Sequence, residues 1–249
     1  MIGYSMKFQF EPSDITLLNH YYTMYGIGEI KVNAETLESP FFYEALRFLK
    51  VKHPIKTSFH LPNNCILDKD HFERLCSQLR RNLNDFQQTN YIVHYSSIPS
   101  EKELINKIEV LLNHLPVGSK VLLENEKGIS LEDFDRAFSI CKNSFFKNRI
   151  GICFDIGHAL AQHPNSSDIF SIFYTEEKNR YINELHIHNV VNGNDHQRFE
   201  CDSSNLKLVR SIIHLATYAD RYILELKETS PFSKIGLHQY ELIEACERK

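Results

Sequence analysis

The sequence predicts an α/β protein, a single (β/α)8 TIM barrel domain over residues 1–249. Three observations lead there. Short β-rich runs alternate with longer segments whose apolar residues recur at helical spacing. Eight such units fit into 249 residues, the usual size of this barrel, and ionisable residues stand at the ends of the β-rich runs. A doubly wound sheet more often holds about five to seven strands.

The predicted strands are Tyr4–Phe10, Gly26–Val32, Ile55–His60, Asn90–Tyr95, Lys120–Glu124, Ile150–Asp155, Asn183–Asn189 and Arg221–Leu226. Helices are predicted near Ile15–Met24, Pro40–Leu49, Lys69–Phe86, Glu101–His114, Leu131–Phe146, Asp168–Tyr181, Ser204–Tyr218 and Ile235–Arg248. Several carry start signals: Ser100 precedes Glu101 and Glu103, Ser130 stands three residues before Asp133, and Pro40 suits a first helical turn. The stretches Val190–Asp195 and His163–Ser167 read as loops. No Pro/Gly/Ser linker or break in composition divides the chain, which favours one domain.

An apolar fraction of 42% with 24% charged residues is that of an ordinary globular protein. The net charge of −4 offers no global attraction to polyanions, and the basic pairs Arg80–Arg81 and Lys50 with Lys52 read as solvated helix faces. Six cysteines without a CxxC pair fit a reducing compartment. The run MIGYSMKFQF lacks the pattern of a secretory leader, and no window approaches a membrane span, so a cytoplasmic protein with no membrane partner is expected.

In a barrel of this kind, sites are built at the C-terminal strand ends, where alternate residues point inward. His60, His94, Glu124, Asp155, His186 and Glu225 each occur at or near such an end. Leu122 shares a face with Glu124, Cys153 with Asp155, and Ile223 with Glu225, so Leu123, Phe154 and Leu224 should pack beneath helices. Six ionisable groups buried together are costly unless each is paired or bound to a cation. Carboxylates and imidazoles are ligands for zinc, manganese, cobalt or magnesium. His158, in the loop expected after Asp155, and Asn194, Asp195 and His196 could face the same cavity. His188 shares parity with His186, so either could point inward.

The segments SFH at 58–60, IVHYSS at 92–97, LLENE at 122–126, CFDIGHA at 153–159, LHIHN at 185–189, NDH at 194–196 and ILELKE at 223–228 follow one another in the order of a known family. Through them the chain resembles the xylose-isomerase-like TIM barrel superfamily, which holds sugar isomerases and epimerases and the endonuclease IV group, AP endonuclease family 2. For the isomerase and epimerase branch, the resemblance implies one divalent metal ion on Glu124, Asp155, His186 and Glu225. Glu124 and Glu225 would also be the catalytic acid/base pair, with His158, His94 and Arg198 binding substrate oxygens. The reaction expected is isomerisation or epimerisation of a sugar or sugar phosphate through a metal-stabilised enediolate.

For the endonuclease IV branch, the resemblance implies two or three metal ions and abasic-site cleavage by metal-assisted phosphodiester hydrolysis. His60, His94 and Glu124 would hold the first ion, and Glu124, Asp155, His186 and Glu225 the second. The third would use His158, His196 and an aspartate two residues before it, where this sequence has Asn194. Nucleic acid enters only on that alternative, which needs a basic, aromatic groove, and Tyr95, Lys127 and Arg198 make a sparse one. The small-molecule carbohydrate reading is therefore favoured. A barrel that binds metal or carbohydrate without turnover is a further alternative.

Overall fold

The computed structural model describes residues 2–7, 16, 19, 23, 27–52, 56–62, 65–66, 69–82, 89–95, 100–128, 130–163, 169–172, 175–201, 203–226, 238–239 and 241–243. Strands β1 (Ile2–Lys7), β2 (Ile27–Lys31), β3 (Lys56–His60), β4 (Asn90–His94), β5 (Lys120–Glu124), β6 (Ile150–Asp155), β7 (Ile182–Ile187) and β10 (Arg221–Leu224) close into a barrel. Each pairs in parallel with its chain neighbour in this series, and β10 returns to β1. The predicted helices Ile15–Met24 and Ile235–Arg248 fall largely outside the described residues.

Alternation along the strands sorts the interior from the outer core. Tyr91, Val93, Val121, Leu123, Ile152, Phe154, Leu185 and Leu224 join one large buried cluster with the helices, and Leu123, Phe154 and Leu224 were expected there from their parity. Helix α4 (Glu101–His114) contributes Leu104, Ile108, Leu111 and Leu112, all buried at the i, i+4, i+7, i+8 spacing. Each such side chain contributes about 1.5–3 kcal/mol relative to exposure. Inside the barrel the apolar content is small: Ile92, Leu122 and Cys153 form a separate cluster, and polar side chains lie above and below it.

Helix starts follow the sequence signals. Ser100 accepts a hydrogen bond from the Glu103 amide, and Ser130 and Asp133 cap α5 (Leu131–Asn143) reciprocally. Asn33 with Thr36 does the same for α1 (Ala34–Glu38), which precedes α2 (Pro40–Lys52). The predicted helix Asp168–Tyr181 is represented by helical residues 169–172 and by α7 (Glu176–Asn179). Among the described residues, Cys65, Cys76, Cys141, Cys153 and Cys201 are free thiols, and no helix is long and apolar enough to cross a membrane.

Two local expectations are corrected. His158 lies in a helix, α6 (Ile156–Gln162), that begins directly at the end of β6 because Asp155 accepts the His158 amide at 2.7 Å as its N-cap. The stretch read as a loop at Val190–Asp195 is a hairpin of β8 (Asn189–Val191) and β9 (Asn194–Gln197). Its two-residue connection, Asn192 at φ 52° and Gly193 at φ 78°, has the positive dihedrals of a type I′ turn, which the dipeptide Asn-Gly favours. Gly193→Ala should weaken the turn by about 1–2 kcal/mol. Hydrogen exchange should then quicken at amides 189–197 while the barrel strands keep their protection.

Candidate metal centre at the barrel rim

His60, His94, Glu124 and Asp155 are the last residues of β3 to β6, His186 is the penultimate residue of β7, and Glu225 follows β10. Parallel register places His94 beside Glu124 and Asp155 beside His186. All six converge. Glu124 Oε2 lies 2.8 Å from His60 Nε2 and 3.0 Å from His94 Nε2, while its Oε1 lies 2.9 Å from His186 Nδ1. Glu225 Oε1 is 3.5 Å from the same His186 nitrogen, and its Oε2 is 3.1 Å from His196 Nε2.

The side chains form three potential ligand sets at the rim. Glu124, Asp155, His186 and Glu225 are all buried and each offers one donor atom within 4.8 Å of the others. His60, His94 and Glu124 form a second set, and His158, His188 and His196 a third, to the same limit. The third set takes His188 where the sequence suggested a residue at 194; Asn194 is exposed on the hairpin. The ambiguity between His186 and His188 is thereby resolved, since each belongs to a different set. Three buried carboxylates with imidazoles suit a borderline divalent cation, so the residues present fit the metal the family implies.

Local structure fixes these positions. Asn125 clamps Asp155 by accepting from its amide and donating to its carbonyl, both at 2.8 Å. His188 Nε2 is 3.0 Å from Asp155 Oδ1, and the His188 ring stacks on His196 with centroids 4.3 Å apart and planes 5° apart. The close packing requires glycine at 157, where a Cβ would come within 2.1–2.5 Å of three His188 ring atoms. The hairpin brings His196 over Glu225, and Lys127 Nζ holds its tip through the Gly193 carbonyl at 2.8 Å.

Burial alone would raise the carboxyl pKa values, yet Glu124 is held well below the ordinary range by His186 and His60, and Glu225 by His186 and Lys31. Asp155 is lowered against burial by His188 and His158. Burial opposes protonation of His94, but its hydrogen bonds to Glu124 and Glu126 raise it to about 10. His60 is raised against burial by Glu124.

A cavity of about 540 Å³ opens above these groups, lined by Lys31, Asn33, His60, His94, Glu124, His158, His196 and Glu225. Asp155 and His186, fully buried, are absent from its wall. Arg198 is exposed and lines a neighbouring cavity with Phe199 and Gln239, so the structure does not bring it to the central cavity as expected of a substrate-binding residue. Tyr95 is also turned away: it is buried and donates to the Asp133 carbonyl. Sequence reasoning missed Lys31, whose Nζ lies 2.8 Å from Glu225 Oε1. Its signal was the inward parity it shares with Glu29 in β2.

The profile of the xylose isomerase-like TIM barrel family matches residues 85–244. The chain belongs to this family. Solved structures with the same fold include a D-tagatose 3-epimerase-like protein, 18% identical over 99% of this chain and 98% of that one, with a TM-score of 0.64. D-psicose 3-epimerase from Clostridium cellulolyticum H10, solved with D-tagatose, is 10% identical over 99% and 96% of the two chains, with a TM-score of 0.61. The IolI protein with a bound zinc atom is 15% identical over 99% and 96%, with a TM-score of 0.63. A search of curated proteins finds no significant sequence match. At such identities the structural likenesses establish the fold alone.

Two outcomes follow from the site geometry. Gly157→Ala should displace His188 and cost about 1–3 kcal/mol by overpacking, measurable by chemical denaturation. The ion pair of His94 contributes stability below its unfolded pKa near 6.5 that is lost as pH rises through about 10. The melting temperature of metal-free protein should therefore fall between pH 6.5 and 10, less steeply in His94→Gln.

Proposed function

We propose that the chain is a single-domain (β/α)8 barrel and a divalent-metal-dependent sugar or sugar-phosphate isomerase or epimerase. One observation carries this reading: of the buried set Glu124, Asp155, His186 and Glu225, the two glutamates also line the cavity, while the aspartate and histidine lie beneath it. On this reading Asp155 and His186 would hold an ion only, and Glu124 and Glu225 would hold it while facing a substrate. The cavity, about 540 Å³, is of the size that encloses a small molecule.

Glu124, Asp155, His186 and Glu225 would hold the ion, which when bound polarises carbonyl and hydroxyl oxygens and acidifies the intervening C–H group. The carboxyls of Glu124 and Glu225 are both held well below their ordinary pKa range, so either glutamate can act as the base that takes the proton from carbon and, once protonated, give it back to the enediolate. For the other to return a proton on the opposite face, it must first take one from a substrate hydroxyl or from solvent. His158, His94 and His196 border the same cavity and can donate to sugar hydroxyls. Lys31, which lines the same cavity, holds Glu225 at 2.8 Å and restricts the directions from which it meets a substrate.

A second reading, metal-assisted phosphodiester hydrolysis, is favoured by the two further ligand sets, His60 with His94 and Glu124, and His158 with His188 and His196. Against it stand the net charge of −4 and the positions of Tyr95 and Arg198 away from the central cavity.

Metal-loaded protein incubated with a panel of ketoses and their phosphates in deuterated water should catalyse deuterium incorporation beside the carbonyl, followed by proton NMR. Glu124→Gln and Glu225→Gln should each lower that rate at least about 100-fold. Absence of exchange with every sugar, together with nicking of an abasic-site duplex that Glu225→Gln abolishes, would transfer the assignment to the second reading.

A further inference from the structure

Below the rim, three fully buried atoms face one another. Glu29 Oε2 from β2, Glu184 Oε1 from β7 and His186 Nε2 have no hydrogen-bond partner, and their residues are 0% exposed. Glu29 Oε2 lies 2.8 Å and Glu184 Oε1 3.8 Å from the His186 nitrogen. Both carboxylates have their other oxygen engaged. Ser5 Oγ donates to Glu29 Oε1 at 2.7 Å, and Ser58 Oγ and Asn90 Nδ2 donate to Glu184 Oε2 at 2.7 and 2.8 Å. Each glutamate is thus fixed by one oxygen and directs the other at His186.

Two buried carboxylates converging on one imidazole are tolerated when positive charge lies between them. Lys31 Nζ makes its close contact with Glu225 Oε1, and Arg221 Nη1 donates to the Thr57 carbonyl and Ser58 Oγ, while the charge of Lys31 also acts on Glu29 and that of Arg221 on Glu184. The three inward atoms also lie within 4.8 Å of one another, a spacing that ligands of one ion can share.

We propose that Glu29, Glu184 and His186 Nε2 form an interior divalent-cation site one layer beneath the rim. Two carboxylate oxygens and an imidazole select a borderline ion of the zinc, cobalt or manganese class. A neutral imidazole has a single lone pair, so an ion bound here through Nε2 leaves Glu124, Asp155 and Glu225 to the rim. If both positions draw on His186, the ring bridges them as an imidazolate. The interior site goes beyond the catalytic reading: it adds Glu29 and Glu184, which are outside the rim set, and shares His186 with it.

Crystals of the full chain grown with zinc chloride and measured at the zinc absorption edge test the proposal. An anomalous peak is expected about 2.0–2.2 Å from a carboxylate oxygen of Glu29, one of Glu184 and His186 Nε2. Metal analysis should show that Glu29→Gln and Glu184→Gln each lose one equivalent per chain relative to the parent, and in crystals of Glu124→Gln the interior anomalous peak should persist even where the rim ion is lost. Peaks confined to the rim, or an ordered water between the three groups, would overturn the proposal. The map of the unsubstituted chain decides the matter even where the glutamine variants fail to fold. An interior peak with the rim empty would support this site and remove the basis of the isomerase reading.

Discussion

The His186 ring is the constraint on which the barrel interior depends. Nδ1 faces Glu124 and Glu225, Nε2 faces Glu29 and Glu184, and water reaches none of these contacts. Acidic groups from β2, β5, β7 and the end of β10 therefore share one small imidazole as a common neighbour. In a low-dielectric interior their mutual repulsion would favour protonation or unfolding, and basic groups have to offset it. His60, His94, Lys31 and His196 do so from the rim, each within about 3 Å of a carboxylate oxygen. The polar cluster is held by compensation, while the apolar shell outside the strands holds the barrel itself.

That division explains why most of the rim was legible in the sequence. A strand buried on both sides has no polar face, so an ionisable residue at its end stands out against Leu122, Cys153 or Ile223 on the same face. His60, His94, Glu124, Asp155, His186 and Glu225 were found in that way. Glu29 and Lys31 obey the same alternation and share a face with Ile27, but Glu29 stands mid-strand and not at a strand end, where rim residues are expected. Glu184 lies at the start of its strand, where polar residues are unremarkable without knowledge of the layer beneath the rim. The match of the family profile leaves out residues 1–84, the part that supplies Glu29, Lys31 and His60.

Other residues depended on chain direction, which strand parity does not encode. Asp155 closes its strand and caps the following helix in a single step, so His158 is fixed by helical geometry and not by a loop. His188 follows the last residue of β7, and only the packing permitted by Gly157 brings its ring against Asp155. Arg198 lies two residues after His196, yet the end of the hairpin sends it to the neighbouring cavity. The Asn-Gly pair at 192–193 did encode the hairpin, and reading it as a turn would have placed His196 on a strand opposite His188.

The hairpin is also separable from the barrel in a way the other contributors are not. Among the described residues its two strands pair with each other and with no barrel strand, and it still delivers an imidazole to Glu225. A change in its length would leave the parallel register and the apolar shell untouched while moving one wall of the cavity. A segment of about ten residues thus shapes one side of the cavity mouth, while the acid centre beneath it rests on the barrel strands.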